Sequence, residues 1–121
     1  MTNKIVVLST CSNEADAGRV ARALVESRLA ACASVVPGIR SYYRWKGELE
    51  TSDEALLVIK TSRELFAALK VELEKIHPYD VPEILALPVV EGAENYLNWI
   101  DANLRGKEQA CPPIRYNRVW R

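Results

Sequence analysis

The spacing of apolar positions along the chain changes several times, and each change marks an element. Lys4 to Cys11 (KIVVLSTC) is a short, β-branched apolar run, which predicts a buried strand. The period then lengthens. Ala17, Val20, Ala21, Leu24 and Val25 fall on one helical face, with Arg19, Arg22 and Glu26 elsewhere. Ser12 or Asn13 can cap this helix, because either side-chain oxygen can accept from the free amides of a first turn. Ala31 to Val36 (ACASVV) predicts a second strand. Pro37 and Gly38 kink or bulge it, and Tyr42, Tyr43 and Trp45 continue it. Lys46-Gly47-Glu48 signals a turn, and Glu54 to Thr61 (EALLVIKT) returns, giving a long hairpin.

Thr61-Ser62-Arg63-Glu64 has the spacing of a capping box, in which Thr61 and Glu64 satisfy each other's backbone amides. Leu65, Leu69, Leu73 and Ile76 form the buried stripe of a second helix. Pro78 ends it, because the proline ring disfavours helical geometry at the preceding residue. Val81 to Val90 predicts a strand with Pro82 at its start. Pro88 breaks its far end and implies an edge position or a bulge, since a central strand tolerates proline poorly. Ala93 to Leu104 is a final helix with Tyr96, Leu97, Ile100 and Leu104 on one side.

This order describes an α+β, ferredoxin-like β-α-β-β-α-β domain over residues 1–106, with a long central hairpin and an extra C-terminal helix. Residues 107–121 form a tail of different composition. With helices on one face of the sheet, the other face should be polar. The hairpin instead carries Val35, Val36, Tyr42, Tyr43, Trp45, Leu56, Leu57, Val58 and Ile59, apolar on both faces. A second cover is needed, and the chain has too few helices to supply it; self-association is the simplest source.

The 121 residues suit one core. Sixteen basic residues balance sixteen acidic ones, so no overall field draws in nucleic acid or anionic lipid. No apolar run approaches the roughly 18 residues of a membrane helix, and MTNKIVVLSTCSNE lacks the long apolar region of a signal peptide. Cys11, Cys32 and Cys111 make an odd count without paired spacing, which predicts reduced thiols in a cytoplasm. The tail IRYNRVWR interleaves arginine with aromatics, a mix that can grip nucleic acid. One such run on a neutral protein reads better as a flexible or edge-docking tail, so neither nucleic acid nor membrane is an expected partner.

The segments LAACASVVPG, SYYRWKGELE, LLVIKT, HPYDVPEILALPV and YLNWI stand in an order and spacing that resembles the CutA family of divalent-cation tolerance proteins, over residues 4 to about 104. The resemblance implies a cytoplasmic homotrimer of ferredoxin-like subunits, packed through sheets and hairpins. It implies similarity in fold to trimeric nitrogen-signalling proteins, which bind small effectors between subunits. It also implies a response to metal ions through weak binding of copper or another divalent ion, with no obligatory cofactor. The implied copper contacts are His77 of the HPY motif and Cys32 of the LAAC motif. Where some members have a first-strand cysteine this chain has Ser9, and where some have a second histidine it has Ile76. Cys11 lies two residues along the same strand and faces the same side as Ser9.

The chemistry of these residues leaves two readings of each. His77 can offer a neutral imidazole nitrogen to a metal, and Cys32 or Cys11 a soft thiolate suited to Cu(I). Equally, His77 can cap the second helix, its ring donating to free carbonyls at the negative dipole end, and Cys32 can serve as a small hydrophobe. Tight structural zinc takes four ligands, and neither Cys-x-x-Cys nor His-x-x-x-His spacing occurs, so metal ligands would be shared between subunits. Lys60 and Glu83 are charges beside apolar strands and need partners. They either pair with each other or hold an anionic ligand in a cleft walled by Trp45 and Tyr79, unless those aromatics are interface packing. No serine-histidine-acid set, nucleophile elbow or glycine-rich phosphate loop points to an enzyme. A small-molecule-sensing trimer and a structural, partner-docking trimer are the alternatives to metal tolerance.

Overall fold

A computed structural model of the chain describes residues 1–106; Cys111 and the predicted tail lie outside the described residues. The elements are β1 (Lys4–Cys11), α1 (Glu14–Glu26), β2 (Cys32–Trp45), β3 (Glu48–Ser62), α2 (Phe66–Ile76), β4 (Leu85–Pro88) and α3 (Glu94–Ala102). The four strands form one antiparallel sheet in the order β2-β3-β1-β4, the ferredoxin-like α+β arrangement that the element order predicts.

Alternation along the strands divides the sheet into two faces. Ile5, Val7 and Cys11 of β1, with Ala55, Leu57 and Ile59 of β3, pack in one core cluster with Ala17, Val20, Ala21 and Leu24 of α1 and Leu69 and Leu73 of α2. Asn13 is the residue that caps α1, its Oδ1 accepting the Asp16 amide at 2.7 Å. The residue before Pro78 leaves the helix, as proline demands: His77 has extended geometry at φ −78°, ψ 138°. Pro88 sits on the edge strand, where its missing amide costs the ladder little.

Pro37 and Gly38 coincide with a register shift between Val36 and Ile39, and Gly38 takes φ +78°. Beyond that shift the hairpin outruns the rest of the sheet, because β1 ends at Cys11 opposite Ala55. Lys46 and Gly47, both at positive φ, close it in the geometry that matches strand twist.

Three expectations are corrected. Thr61 and Glu64 form no capping box. Thr61 is still within β3, fully buried, and its hydroxyl donates to the Leu29 carbonyl at 2.7 Å. Glu64 accepts from the Asn3 side chain instead, and α2 is entered through a short 3₁₀ turn at Arg63–Leu65. The last strand is also shorter than Val81 to Val90, since only Leu85–Pro88 lies opposite β1.

The third correction concerns the second face. α3 supplies part of the cover. Its Asp101 meets Lys4 Nζ at 3.1 Å, Lys60 Nζ lies 5.8 Å from the Tyr96 ring centre, and Ile100 and Leu104 pack on Ala31. The cover stops there. The cross-strand registers line up Val36 with Leu56, Val58 with Leu8 and Leu85, and Val6 with Leu87, in a strip on which nothing else in the described residues packs as a core. Leu85 and Leu87 are 57% and 47% exposed.

Leu73→Ala, which empties a fully buried position, is expected to cost about 2–5 kcal/mol of unfolding free energy. Asn13→Ala should cost about 1 kcal/mol through the lost cap. Urea midpoints measured at constant m-value check both.

Candidate functional site

The end of β1, the base of the hairpin and the connector after α2 meet at one edge of the sheet. His77 organises this meeting. Its backbone amide caps α2 by donating to Leu73 O at 2.9 Å, while its ring turns away from the helix. Arg19 takes the Ile76 carbonyl in its place, at 3.3 Å. The capping role predicted for the imidazole therefore falls to the main chain. On the ring, the Tyr79 amide donates to Nδ1 at 3.0 Å, and Nε2 lies 2.8 Å from the Thr10 carbonyl. An amide can only donate and a carbonyl can only accept, so Nδ1 accepts and Nε2 donates. With 7% exposure, His77 is a pin between connector and strand.

The same geometry decides what His77 can offer a metal. Both nitrogens are in use, and a metal would have to displace the Tyr79 amide or the Thr10 carbonyl. Cys11 Sγ lies 3.6 Å from Nε2 and is fully buried. Burial pushes its thiol up from the ordinary 9.0; Asp16 and Glu54 add to the rise and Arg19 opposes it. A protonated, enclosed thiol is a poor nucleophile and a poor metal donor. Cys32 stands apart from this pair. Cys11 lies opposite Ala55 and Cys32 opposite Lys60, on opposite faces of the sheet, about 17 Å apart along the strand direction. Cys32 is half-buried, with Lys60 Nζ at 4.0 Å. The fold thus brings together two of the three predicted metal residues, His77 and Cys11. Among the described residues no three His, Cys, Asp or Glu side chains converge to hold a metal ion.

Beside His77 a cavity of about 620 Å³ opens between hairpin and connector. Tyr42, Tyr43 and Trp45 wall it from the hairpin and Tyr79 from the connector, and Glu50, Glu54, Asp80 and Glu83 supply carboxylates. Three of the four predicted cleft residues, Trp45, Tyr79 and Glu83, line it. Lys60 does not. It is six residues along β3 from Glu54, about 20 Å, where it faces Cys32 and the Tyr96 ring of α3. The predicted Lys60–Glu83 pair is therefore not formed: Glu83 lines the cavity, and Lys60 lies away from it beside Cys32 and Tyr96.

Glu54, with Glu50 and Asp80, is among the cleft residues that sequence reasoning missed. Its Oε2 accepts the Tyr79 hydroxyl at 2.7 Å and ties connector to hairpin. Its signal was a carboxylate at the head of an apolar strand. Burial is the main cause that pushes the Tyr79 phenol well above its ordinary 10.0. The bond to Glu54 and the charge of Glu54 come next, then Cys11 and Tyr43.

These groups set an alkaline limit. Cys11 and Tyr79 hold their protons more tightly folded than unfolded, so above their ordinary values the unfolded chain binds fewer protons and stability falls as pH rises. Stability is expected to decline from pH 9.0 through Cys11, and more steeply from 10.0 through Tyr79. Urea unfolding as a function of pH should show the later part shrink in Tyr79→Phe and the earlier part in Cys11→Ser. His77→Ala strands the Thr10 carbonyl and the Tyr79 amide and should cost about 1–3 kcal/mol. Nitrogen-15 spectra of the wild-type ring should report the Nε2–H tautomer.

The family model described as "CutA1 divalent ion tolerance protein" matches residues 5–103, which include the hairpin, the connector and α3. A divalent-cation tolerance protein CutA from Thermus thermophilus is 50% identical over 98 residues, 81% of this chain and 95% of the relative. One from Pectobacterium atrosepticum is 44% identical over 105 residues, 87% of this chain and 96% of the relative. A solved divalent cation tolerance protein (Cut A1) from Thermus thermophilus superposes with a TM-score of 0.81 at 48% identity, covering 84% of this chain and 98% of that one. Fold, length and letters agree from β1 to α3, and the chain belongs to the CutA1 family of divalent ion tolerance proteins.

Proposed function

We propose that this chain serves divalent-cation tolerance as a non-catalytic cytoplasmic homotrimer that binds copper or another divalent ion weakly, through ligands shared between copies. Membership of the family supports the tolerance role. The observation that carries the rest is the uncovered strip of the sheet, with Cys32 on the same face. An apolar strip of this length asks for a protein cover, and copies packed through it bring one Cys32 each. Cys32 is the described thiol that is partly exposed; the His77 nitrogens are occupied and Cys11 is enclosed. A soft thiolate suits Cu(I), and one thiol per chain makes a weak site, so no resident cofactor is required. Free thiols at Cys11 and Cys32 fit a reducing compartment.

A second reading, a small-molecule-sensing assembly, is favoured by the cavity that Trp45, Tyr79 and Glu83 line.

Light scattering and copper titration on the same samples test the first reading, in a Cys111→Ala background so that the tail thiol takes no part. The expected mass is three times that of one chain. Cu(I) affinity should fall at least about tenfold in Cys32→Ala, a loss of about 1.4 kcal/mol, and stay unchanged in Cys11→Ala. A single-chain mass, or copper binding indifferent to Cys32, would overturn it.

A further inference from the structure

We infer that the cavity between hairpin and connector takes a small organic cation: an ammonium group carried on an apolar or aromatic body. The inference deepens the small-molecule reading and rests on it.

Size comes first. About 620 Å³ lies within the roughly 300–1,000 Å³ of cavities that hold small organic ligands, and far exceeds what a bare ion fills. Charge comes second. Glu50, Glu54, Asp80 and Glu83 reach the lining, and among the described residues no lysine, arginine or histidine does. Among the described residues none of these four carboxylates has a Lys or Arg within ion-pairing distance. Among the described residues Glu54 alone of the four has a close side-chain hydrogen-bond partner, the Tyr79 hydroxyl. The lysine that would have favoured an anion, Lys60, lies at the other end of β3.

The walls separate an organic cation from a metal ion. Among the described residues the carboxylates do not converge into a set of three that could hold a metal. Between them stand Tyr42, Tyr43, Trp45 and Tyr79. The three hairpin rings are 67%, 42% and 45% exposed, so each keeps surface that its own chain does not cover. Electron-rich ring faces attract ammonium groups and also bury apolar surface, a combination that water-loving divalent ions do not use. Carboxylates around an aromatic wall therefore select a charge of one sign on a greasy body.

Calorimetric titration of the full chain at fixed ionic strength tests this, with 3-phenylpropylammonium, its near-isosteric anion 3-phenylpropionate, and Mg²⁺ as probes. The expected result is saturable binding of the ammonium, at least about tenfold tighter than the anion. It should weaken by about tenfold in Trp45→Ala and in the Asp80→Asn, Glu83→Gln double variant. These positions are exposed or partly exposed, and unchanged urea midpoints would show that the fold survives. Preference for the anion would overturn the cation assignment and leave the small-molecule reading standing. Equal displacement by Mg²⁺ would reduce the effect to unspecific attraction and overturn it. No binding of either organic probe would remove both, and binding that appears only when the protein is diluted to single chains would give the cavity to a second copy.

Discussion

Everything in this fold hangs on β1. It is hydrogen-bonded to β3 on one side and to β4 on the other, and its side chains alternate between two faces that both need cover. Ile5, Val7 and Cys11 take α1 and α2. Lys4, Val6 and Leu8 turn the other way, and only the end near Lys4 is met by α3. One strand of eight residues thereby sets both the core and the unfinished surface. The hydrophobic effect carries no direction, so the apolar strip that no other described residue covers suits the association proposed above by the same physics that folds the core.

The same strand positions the site. The backbone near its end, at Thr10, receives the His77 ring, and its last side chain, Cys11, lies beneath that ring. The only histidine of the chain is spent on holding a proline-bounded connector against the sheet. Tyr79 then reaches Glu54 and closes the loop to the hairpin. Buried polar groups need partners, and these few bonds satisfy one another around a ring of three elements. The result is a rigid rim on which aromatic and acidic side chains can be presented.

β3 also separates two chemistries along its length. At one end Lys60 lies beside Cys32 and Tyr96; at the other Glu54 and Glu50 border the cavity. About 20 Å of strand lies between Lys60 and Glu54, more than a Debye length at physiological ionic strength. A net charge of zero therefore says little about either end. The metal chemistry considered for Cys32 and the ligand chemistry considered for Trp45, Tyr79 and Glu83 belong to different places.

Local rules were enough for much of this protein. The β-branched run of β1, the helical stripes, the Asn13 cap, the stop before Pro78, the break at Pro37-Gly38 and the edge position of Pro88 each follow from a residue and its near neighbours, because backbone sterics and side-chain period act over a few positions. The surplus of apolar residues on the second face was legible for the same reason. Thr61 and Glu64 had the right spacing for a cap and were claimed by Leu29 and Asn3, residues brought near only by folding. Lys60 and Glu83 looked like partners and were kept apart, one beside Tyr96 and the other at the cavity. The ring of His77 met Thr10, 67 positions away, and so lost the freedom that a lone histidine suggests. Which face α3 would take was equally beyond a periodicity count, since an amphipathic stripe states that a helix must pack and not against what. The sequence alone settled what each segment would be; only the tertiary structure decided which polar groups would meet, because hydrogen bonds and charges act at contact distance and contact is made by the whole chain at once.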